Sequence, residues 1–262
     1  MEYIQSNQNT KIKAAKKLTV KKNQRKENTY LLEGWHLVQE AIQNKAVIRQ
    51  VFATEKYVDE RALRGLYDET FEIAPEVAQH LSETKAPQGI FAVVEMSETP
   101  VPEKLTGRYL LLDAVQDPGN IGTMIRTADA AGFAGVVLGN GSVDLYNPKL
   151  LRSMQGSHFH LPIYQGNLMD WMKKFNSQDV PVYGTELNPE AISYQDVPKA
   201  NDMALILGNE GNGVNADVLA ATTQNIYIPI PGNAESLNVA VAAGILMFKL
   251  IEAKFFLTNV TF

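Results

Sequence analysis

Three nearly continuous apolar runs constrain this chain most: Tyr109-Leu-Leu-Leu-Asp-Ala-Val, Gly135-Val-Val-Leu and Met203-Ala-Leu-Ile-Leu-Gly. Each is too short for a buried helix and lacks the alternation of a half-exposed strand. Such runs fit strands covered on both faces, the situation of a parallel sheet between helical layers. The segments between them carry helical periodicity, as in Ile121, Ile125, Ala128 and Gly132. Alternating strands and helices therefore predict an α/β fold with a parallel sheet in the second half of the chain.

The first half predicts a smaller α/β unit. Residues 4–26 read as helical, with Ile4, Ile12, Ala15 and Leu18 as apolar contacts. Strands are expected at 30–34, 48–53, 71–74 and 88–94, and helices at 35–43, 57–67 and after Pro75. Residues 97–107 are rich in turn formers and lack an apolar period, as a linker would be. The expected organisation is a first domain over 1–96, a linker over 97–107 and a second domain over 108–262. In the second domain, helices are expected at 121–132, 149–155, 168–175 and 218–222. Further strands are expected at 159–163 and 181–185.

Charge is distributed unevenly. The whole chain carries −5, but residues 1–30 hold eight Lys/Arg against Glu2 and Glu27, which is +6 and leaves −11 on the remainder. A basic segment on an acidic body points to contact with a polyanion, or to a solvated helix face. The chain has no cysteine, which excludes disulfides, thiolate metal ligation and a cysteine nucleophile. No run of about 18 uncharged apolar residues predicts a membrane span, and the Lys-rich N-terminal region lacks the apolar centre of a signal peptide. A cytoplasmic protein is expected.

Ligands of open parallel sheets bind beyond the carboxyl ends of the strands. Three such ends hold dense polar or glycine chemistry. Gln116 to Arg126 places Asn120 where a helix cap belongs, with Arg126 near the edge of the following helix's apolar face. Gly208-Asn-Glu-Gly-Asn-Gly follows a buried strand, departs from the dinucleotide-binding glycine pattern, and carries the carboxylate Glu210. Pro231 to Asn238 ends with Ser236 and Asn238 at the start of a long apolar helix. Each stretch alone is equally compatible with an ordinary cap or tight loop. The four histidines do not form a ligand cluster: His158 and His160 are expected on opposite faces of a strand, and His36 and His80 are isolated. No metal site is expected.

Taken together, the three stretches resemble the three motifs of the SpoU (TrmH-like) RNA ribose 2′-O-methyltransferases, members of the SPOUT class. The matching segments are Asp117-Pro-Gly-Asn-Ile-Gly-Thr-Met-Ile-Arg-Thr-Ala, Leu205-Ile-Leu-Gly-Asn-Glu-Gly and Ile228-Pro-Ile-Pro-Gly-Asn-Ala-Glu-Ser-Leu-Asn-Val-Ala-Val-Ala. The catalytic resemblance covers about residues 107–255. The first domain resembles the L30e-like substrate domain found in that family, including Lys85-Ala-Pro-Gln-Gly-Ile-Phe-Ala-Val-Val. The resemblance implies a C-terminal α/β domain with a trefoil knot, S-adenosylmethionine as methyl donor, and RNA as substrate, ribosomal RNA before transfer RNA. It implies cofactor contacts at Leu207, Gly208, Ile228, Pro229 and Leu237. It also implies a polar catalytic site of Asn120, Arg126, Glu210, Ser236 and Asn238, led by Arg126.

Arginine normally stays protonated in proteins, so Arg126 as a base would require unusual surroundings; the other role is to hold a neighbouring phosphate and stabilise a developing alkoxide, and the sequence leaves both open. The last helix, apolar from Val239 to Phe248, reads as buried on all sides, and the family's dimeric state implies a homodimer through this region. A non-catalytic RNA-binding protein on the same fold is the alternative from another class. It would be expected to lose Asn120, Arg126, Glu210 or Asn238, and all four are present.

Overall fold

A computed structural model describes residues 1–251; the end of the expected second domain, residues 252–262, lies outside the described residues. The chain forms two compact units. The first comprises residues 1–100 with 117–126 and 143–162, and the second comprises 101–116, 127–142 and 163 onward.

The first unit begins with β1 (Tyr3–Ile4), α1 (Thr10–Lys17), α2 (Lys21–Glu27), β2 (Thr29–Glu33), α3 (Trp35–Gln43), β3 (Ile48–Ala53), α4 (Glu55–Val58), β4 (Thr70–Ile73), α5 (Pro75–Leu81) and β5 (Ile90–Glu95). The five strands make a mixed sheet in the order β1-β4-β3-β5-β2. Its core gathers Ile4, Ile12, Leu18, Phe52, Val77, Leu81 and Phe91.

The expected single helix over residues 4–26 is instead a short strand and two helices. Asn9 caps α1 through its Oδ1, 2.8 Å from the Lys11 N–H. The β-branched pair Thr19-Val20 follows the end of α1. The carbonyls left open there are taken by side chains of α2: Asn23 donates to the Lys17 oxygen (2.9 Å) and Gln24 to the Leu18 oxygen (2.7 Å). The helix expected over 57–67 is likewise reduced to α4 and a tighter 3₁₀ turn at Arg61–Leu66, where Gly65 weakens α-helical propensity.

The remaining helices of this unit are α6 (Pro118–Ala130), whose residues 118–126 belong here, and α7 (Pro148–Met154). Helix α6 starts three residues earlier than expected. Asp117 is its cap, accepting the Asn120 N–H at 2.9 Å, and Pro118 occupies the first helical position, where a missing N–H costs nothing. Asn120 therefore sits within the first turn rather than capping it. Residues 159–162 are not strand: Ser157–Phe159 forms a 3₁₀ turn and β8 starts at Ile163, immediately after Pro162, which has no N–H for the ladder. His158 and His160 are thus not on opposite faces of a strand. His158 Nε2 lies 3.2 Å from Tyr30 Oη, and His160 Nε2 lies 2.7 Å from Glu40 Oε2.

The second unit contains β6 (Arg108–Leu112), β7 (Gly135–Gly139), β8 (Ile163–Gly166), α8 (Leu168–Asn176), β9 (Val182–Thr185), β10 (Ile192–Ser193), β11 (Met203–Leu207), α9 (Ala216–Ala220), β12 (Gln224–Tyr227) and α10 (Val239–Leu250). All seven strands run parallel in the order β10-β12-β9-β11-β6-β7-β8. The apolar runs singled out in the sequence are its central strands. Leu110, Leu111, Val136, Val137, Leu205 and Ile206 have no exposed surface. Their burial on both faces accounts for runs without polar alternation.

Candidate active site

A cavity of about 760 Å³ opens in the second unit at the carboxyl ends of β9, β11 and β12. It is lined by Leu207 and Gly208 after β11, Ile228 and Pro229 after β12, and Ser236, Leu237 and Asn238 before α10. Glu210 also lines it, so eight of the ten residues expected at the site share one cavity. Asn120 and Arg126 belong to α6 in the first unit.

Close backbone packing shapes the wall after β11. Asn209 and Gly213 exchange two backbone hydrogen bonds of 2.9 Å, closing a tight loop. A Cβ on Gly208 would overlap the Gly213 carbonyl and the Val214 nitrogen, so only glycine fits there. Asn209 organises the loop from inside: its Oδ1 accepts the Gly211 and Asn212 N–H groups at 2.9 and 3.2 Å, and its Nδ2 donates to the Ala114 carbonyl at 2.9 Å. Glu210 is thereby held at an exposed loop tip, where the Gln116 N–H lies 3.4 Å from its Oε2.

The start of α10 also lines the cavity. Asn238, rather than Ser236, caps this helix. Its Oδ1 accepts the Ala240 N–H at 2.9 Å and the Val241 N–H at 3.3 Å. Ser236 is exposed on the preceding loop. The helix itself departs from the expectation of burial on all sides. Ala240, Ala243, Leu246, Met247 and Leu250 are buried, whereas Val241, Ile245 and Phe248 are 52%, 37% and 43% exposed. They fall at i, i+4 and i+7, a single apolar stripe.

The sequence reading passed over the end of β9, where Thr185, Glu186 and Leu187 line the cavity. The turn-forming Asn188-Pro189 after a strand was an available signal. Asn209 was also missed, because a loop-organising asparagine has no spacing of its own.

On α6, the Asp117 carboxyl is held below its usual range, first by the Asn120 N–H and then by Lys149, whose Nζ lies 3.1 Å from Oδ2. Arg126 is exposed, one helical turn beyond the buried Gly122. Among the described residues, no group of three or more His, Cys, Asp or Glu side chains is placed to hold a metal ion, and no helix is long and apolar enough to cross a membrane.

Residues 107–248, which contain the whole cavity lining, match the SpoU rRNA Methylase family. The chain belongs to the SpoU rRNA methylase family. Residues 9–92, which contain β2, β3 and β4 of the mixed sheet, match the MRM3-like substrate binding domain. The chain is 46% identical to the 23S rRNA (guanosine(2553)-2′-O)-methyltransferase RlmP of Bacillus subtilis, across 95% of this chain and 99% of that protein. Two solved methyltransferase structures share the fold. The AdoMet-bound rRNA methyltransferase of Sinorhizobium meliloti superposes with a TM-score of 0.86 at 28% identity, covering 95% of this chain and 97% of its own. The SpoU methyltransferase AviRb of Streptomyces viridochromogenes, in complex with AdoMet, gives 0.81 at 26% identity, covering 93% and 97%.

Proposed function

We propose that this SpoU methylase transfers a methyl group from S-adenosylmethionine to the 2′-hydroxyl of a ribose in 23S rRNA. The observation that carries this reading is the cavity at the carboxyl ends of three parallel strands, lined by Leu207, Gly208, Ile228 and Leu237 together with the polar Glu210, Ser236 and Asn238. The relative that is 46% identical over nearly its full length is itself a 23S rRNA 2′-O-methyltransferase.

The residues present suit the cofactor. A volume of about 760 Å³ lies within the range of roughly 300–1,000 Å³ usual for small-molecule sites. Leu207, Ile228 and Leu237 contribute apolar lining, and Gly208 and Pro229 bring backbone to the cavity beside them. S-adenosylmethionine supplies a methyl group already activated on a sulfonium. The protein's task is to align the ribose oxygen with it and to favour loss of the hydroxyl proton. In this reading Arg126 holds the phosphate next to the target ribose and stabilises negative charge on the attacking oxygen. Asn120, Glu210, Ser236 and Asn238 orient the ribose. Arg126→Ala is expected to abolish transfer of tritiated methyl groups into 23S rRNA while S-adenosylmethionine still binds. Turnover like that of the unaltered protein would sink the assignment.

Residues 1–96 serve as the RNA-binding domain, joined through 97–107 to a methyltransferase domain over 108–262 that carries the family's trefoil knot. The apolar stripe of Val241, Ile245 and Phe248 fits a homodimer interface, because a lone chain would leave these side chains in water. A cytoplasmic location is part of this reading, because bacterial 23S rRNA is the proposed substrate.

A further inference from the structure

Helix α6 carries Arg126 but is held at its other end, and the hold is made by α7. Lys149 and Ser153 are four residues apart on α7, on one face of that helix. Both meet the start of α6. Lys149 Nζ lies 3.1 Å from Asp117 Oδ2, and Ser153 Oγ donates to the Gly119 carbonyl at 3.1 Å. That same carbonyl accepts Thr123 Oγ1 at 2.8 Å. The Lys149–Asp117 pair is exposed at both ends and contributes little to fixing the geometry. The contact at Gly122 is of another kind. A Cβ built there would overlap the Ser153 Cβ and Oγ and stand 2.8 Å from the Ser153 carbonyl carbon. The two helices touch backbone to side chain at this point, with no slack. Gly119, Gly122 and Arg126 follow at i, i+3 and i+7, so the notch and the arginine share one face of α6.

On its other side α7 is tied to the N-terminal sheet. Arg152 Nη1 lies 3.6 Å from Glu33 Oε2 at the end of β2, and Glu33 Oε1 accepts hydrogen bonds from Ser82 and Thr84.

We propose that Ser153, seated in the notch left by Gly122, is a positioning residue for Arg126, and that α7 thereby relays the placement of the N-terminal sheet to the catalytic arginine. This rests on the reading of Arg126 as the catalytic residue. Separating α6 from α7 by the width of one methyl group displaces the guanidinium on the order of 1 Å. A misplacement of that size can cost about a hundredfold in turnover without touching the cofactor pocket. The distinguishing signature is a fall in kcat with unchanged cofactor affinity.

The test compares Gly122→Ala, Ser153→Ala, Gly122→Ala/Ser153→Gly, Arg126→Ala, and Gly122→Ala in an Arg126→Lys background, all in the full-length chain. The readouts are kcat and KM on a 23S rRNA fragment, the S-adenosylmethionine Kd by calorimetry, and Tm. Gly122→Ala is expected to lower kcat by about a hundredfold with the cofactor Kd within about twofold of its original value. Removing the Ser153 side chain in the double variant should restore about tenfold of that loss, because the clash is relieved. In the Arg126→Lys background the Gly122 penalty should shrink to about threefold or less, because the group being positioned has already been replaced.

Ser153→Ala removes only the hydroxyl and should lower kcat by about fivefold with a fall in Tm of no more than about 2–4 °C. It decides the matter if Gly122→Ala does not fold: full turnover in Ser153→Ala would then overturn the proposal. Turnover of Gly122→Ala within threefold of the unaltered chain, a parallel loss of cofactor affinity, or an undiminished penalty in the Arg126→Lys background would also overturn it. Full activity of Arg126→Ala would instead remove the catalytic reading of that arginine. An inactive Arg126→Ala beside an active Gly122→Ala would remove the positioning role alone.

Discussion

Asn238 stands both at the cavity and at the N-terminus of α10, and substitution can separate the two roles. Its Oδ1 accepts two helix N–H groups, at 2.9 and 3.3 Å. Asn238→Ala leaves both donors without their cap, a loss of about 1 kcal/mol with a range of roughly 0.5–2. For a chain of this size that corresponds to a fall in Tm of about 2–4 °C. Asn238→Asp keeps the acceptor and adds a charge favoured by the helix dipole by about 0.3–1 kcal/mol, so its Tm should not fall. Asn238→Ser also keeps a capping oxygen and introduces no charge. All three lose the carboxamide N–H donors. If these donors orient the ribose, a hydrogen bond to a group gaining charge is worth about 1.5–3 kcal/mol, or roughly tenfold to a hundredfold in kcat. The expected pattern is a lowered Tm for alanine alone and lowered turnover for all three, read by calorimetric melts and single-turnover methylation. An unchanged Tm in Asn238→Ala would refute the capping argument. Full turnover in Asn238→Asp and Asn238→Ser would confine Asn238 to its helix.

Other expectations follow from the same structure. Burial, and then the charge of His160, push the His158 imidazole down to about 3. The ring is therefore neutral in the fold, while in the unfolded chain it takes up a proton below about pH 6.5. Its contribution to stability is complete above that pH and declines as pH falls toward 3, by up to about 1.4 kcal/mol per unit. Denaturant melts at pH 7 and pH 5 should show a smaller loss in His158→Gln than in the unaltered chain; equal losses would contradict it. Among the basic residues of the N-terminal segment, Lys11 pairs with Glu2, Lys21 and Arg25 with Asp144, and Lys26 with Glu27, while Lys16 donates to the Leu81 and Ser82 carbonyls. Lys13, Lys17 and Lys22 are exposed and have no ion pair among the described residues. Replacing these three with Gln should lower the slope of log affinity for RNA against log salt by about two, and an unaltered slope would exclude them from the interface. Ile245→Arg should yield a monomer in sedimentation, and a persistent dimer would move the interface elsewhere.

The N-terminal segment illustrates how far a pattern carries. Its eight basic residues are plain in the sequence, and a deletion of residues 1–26 takes away all eight. Such a deletion would remove Ile4, Ile12, Ala15 and Leu18 from the core, because β1 pairs with β4 and α1 packs on the sheet. Charge is visible residue by residue, but which lysines are already paired depends on partners up to 119–123 positions away, such as Asp144. The mistaken strand around His158 and His160 has a similar origin. A short apolar run cannot be distinguished from a turn until its hydrogen-bonding partners are known.

The parallel sheet, its central strands and the polar motifs at the ends of β11 and β12 were legible in the sequence. Burial on both faces forces a nearly continuous apolar composition, and tight loops and caps restrict residue type locally. The chain also displayed Asn120, Arg126, Glu210, Ser236 and Asn238 as candidates, through motif order and spacing. Tertiary structure decided that Asp117 caps α6 and that Asn238 itself caps α10. It decided that the end of β9 completes the cavity, and that α10 leaves a stripe of three apolar side chains exposed. Each of these depends on distances between segments far apart in sequence. The Gly122–Ser153 notch is the clearest case: neither residue is unusual by itself, and only the close approach of α6 and α7 makes a missing methyl group consequential.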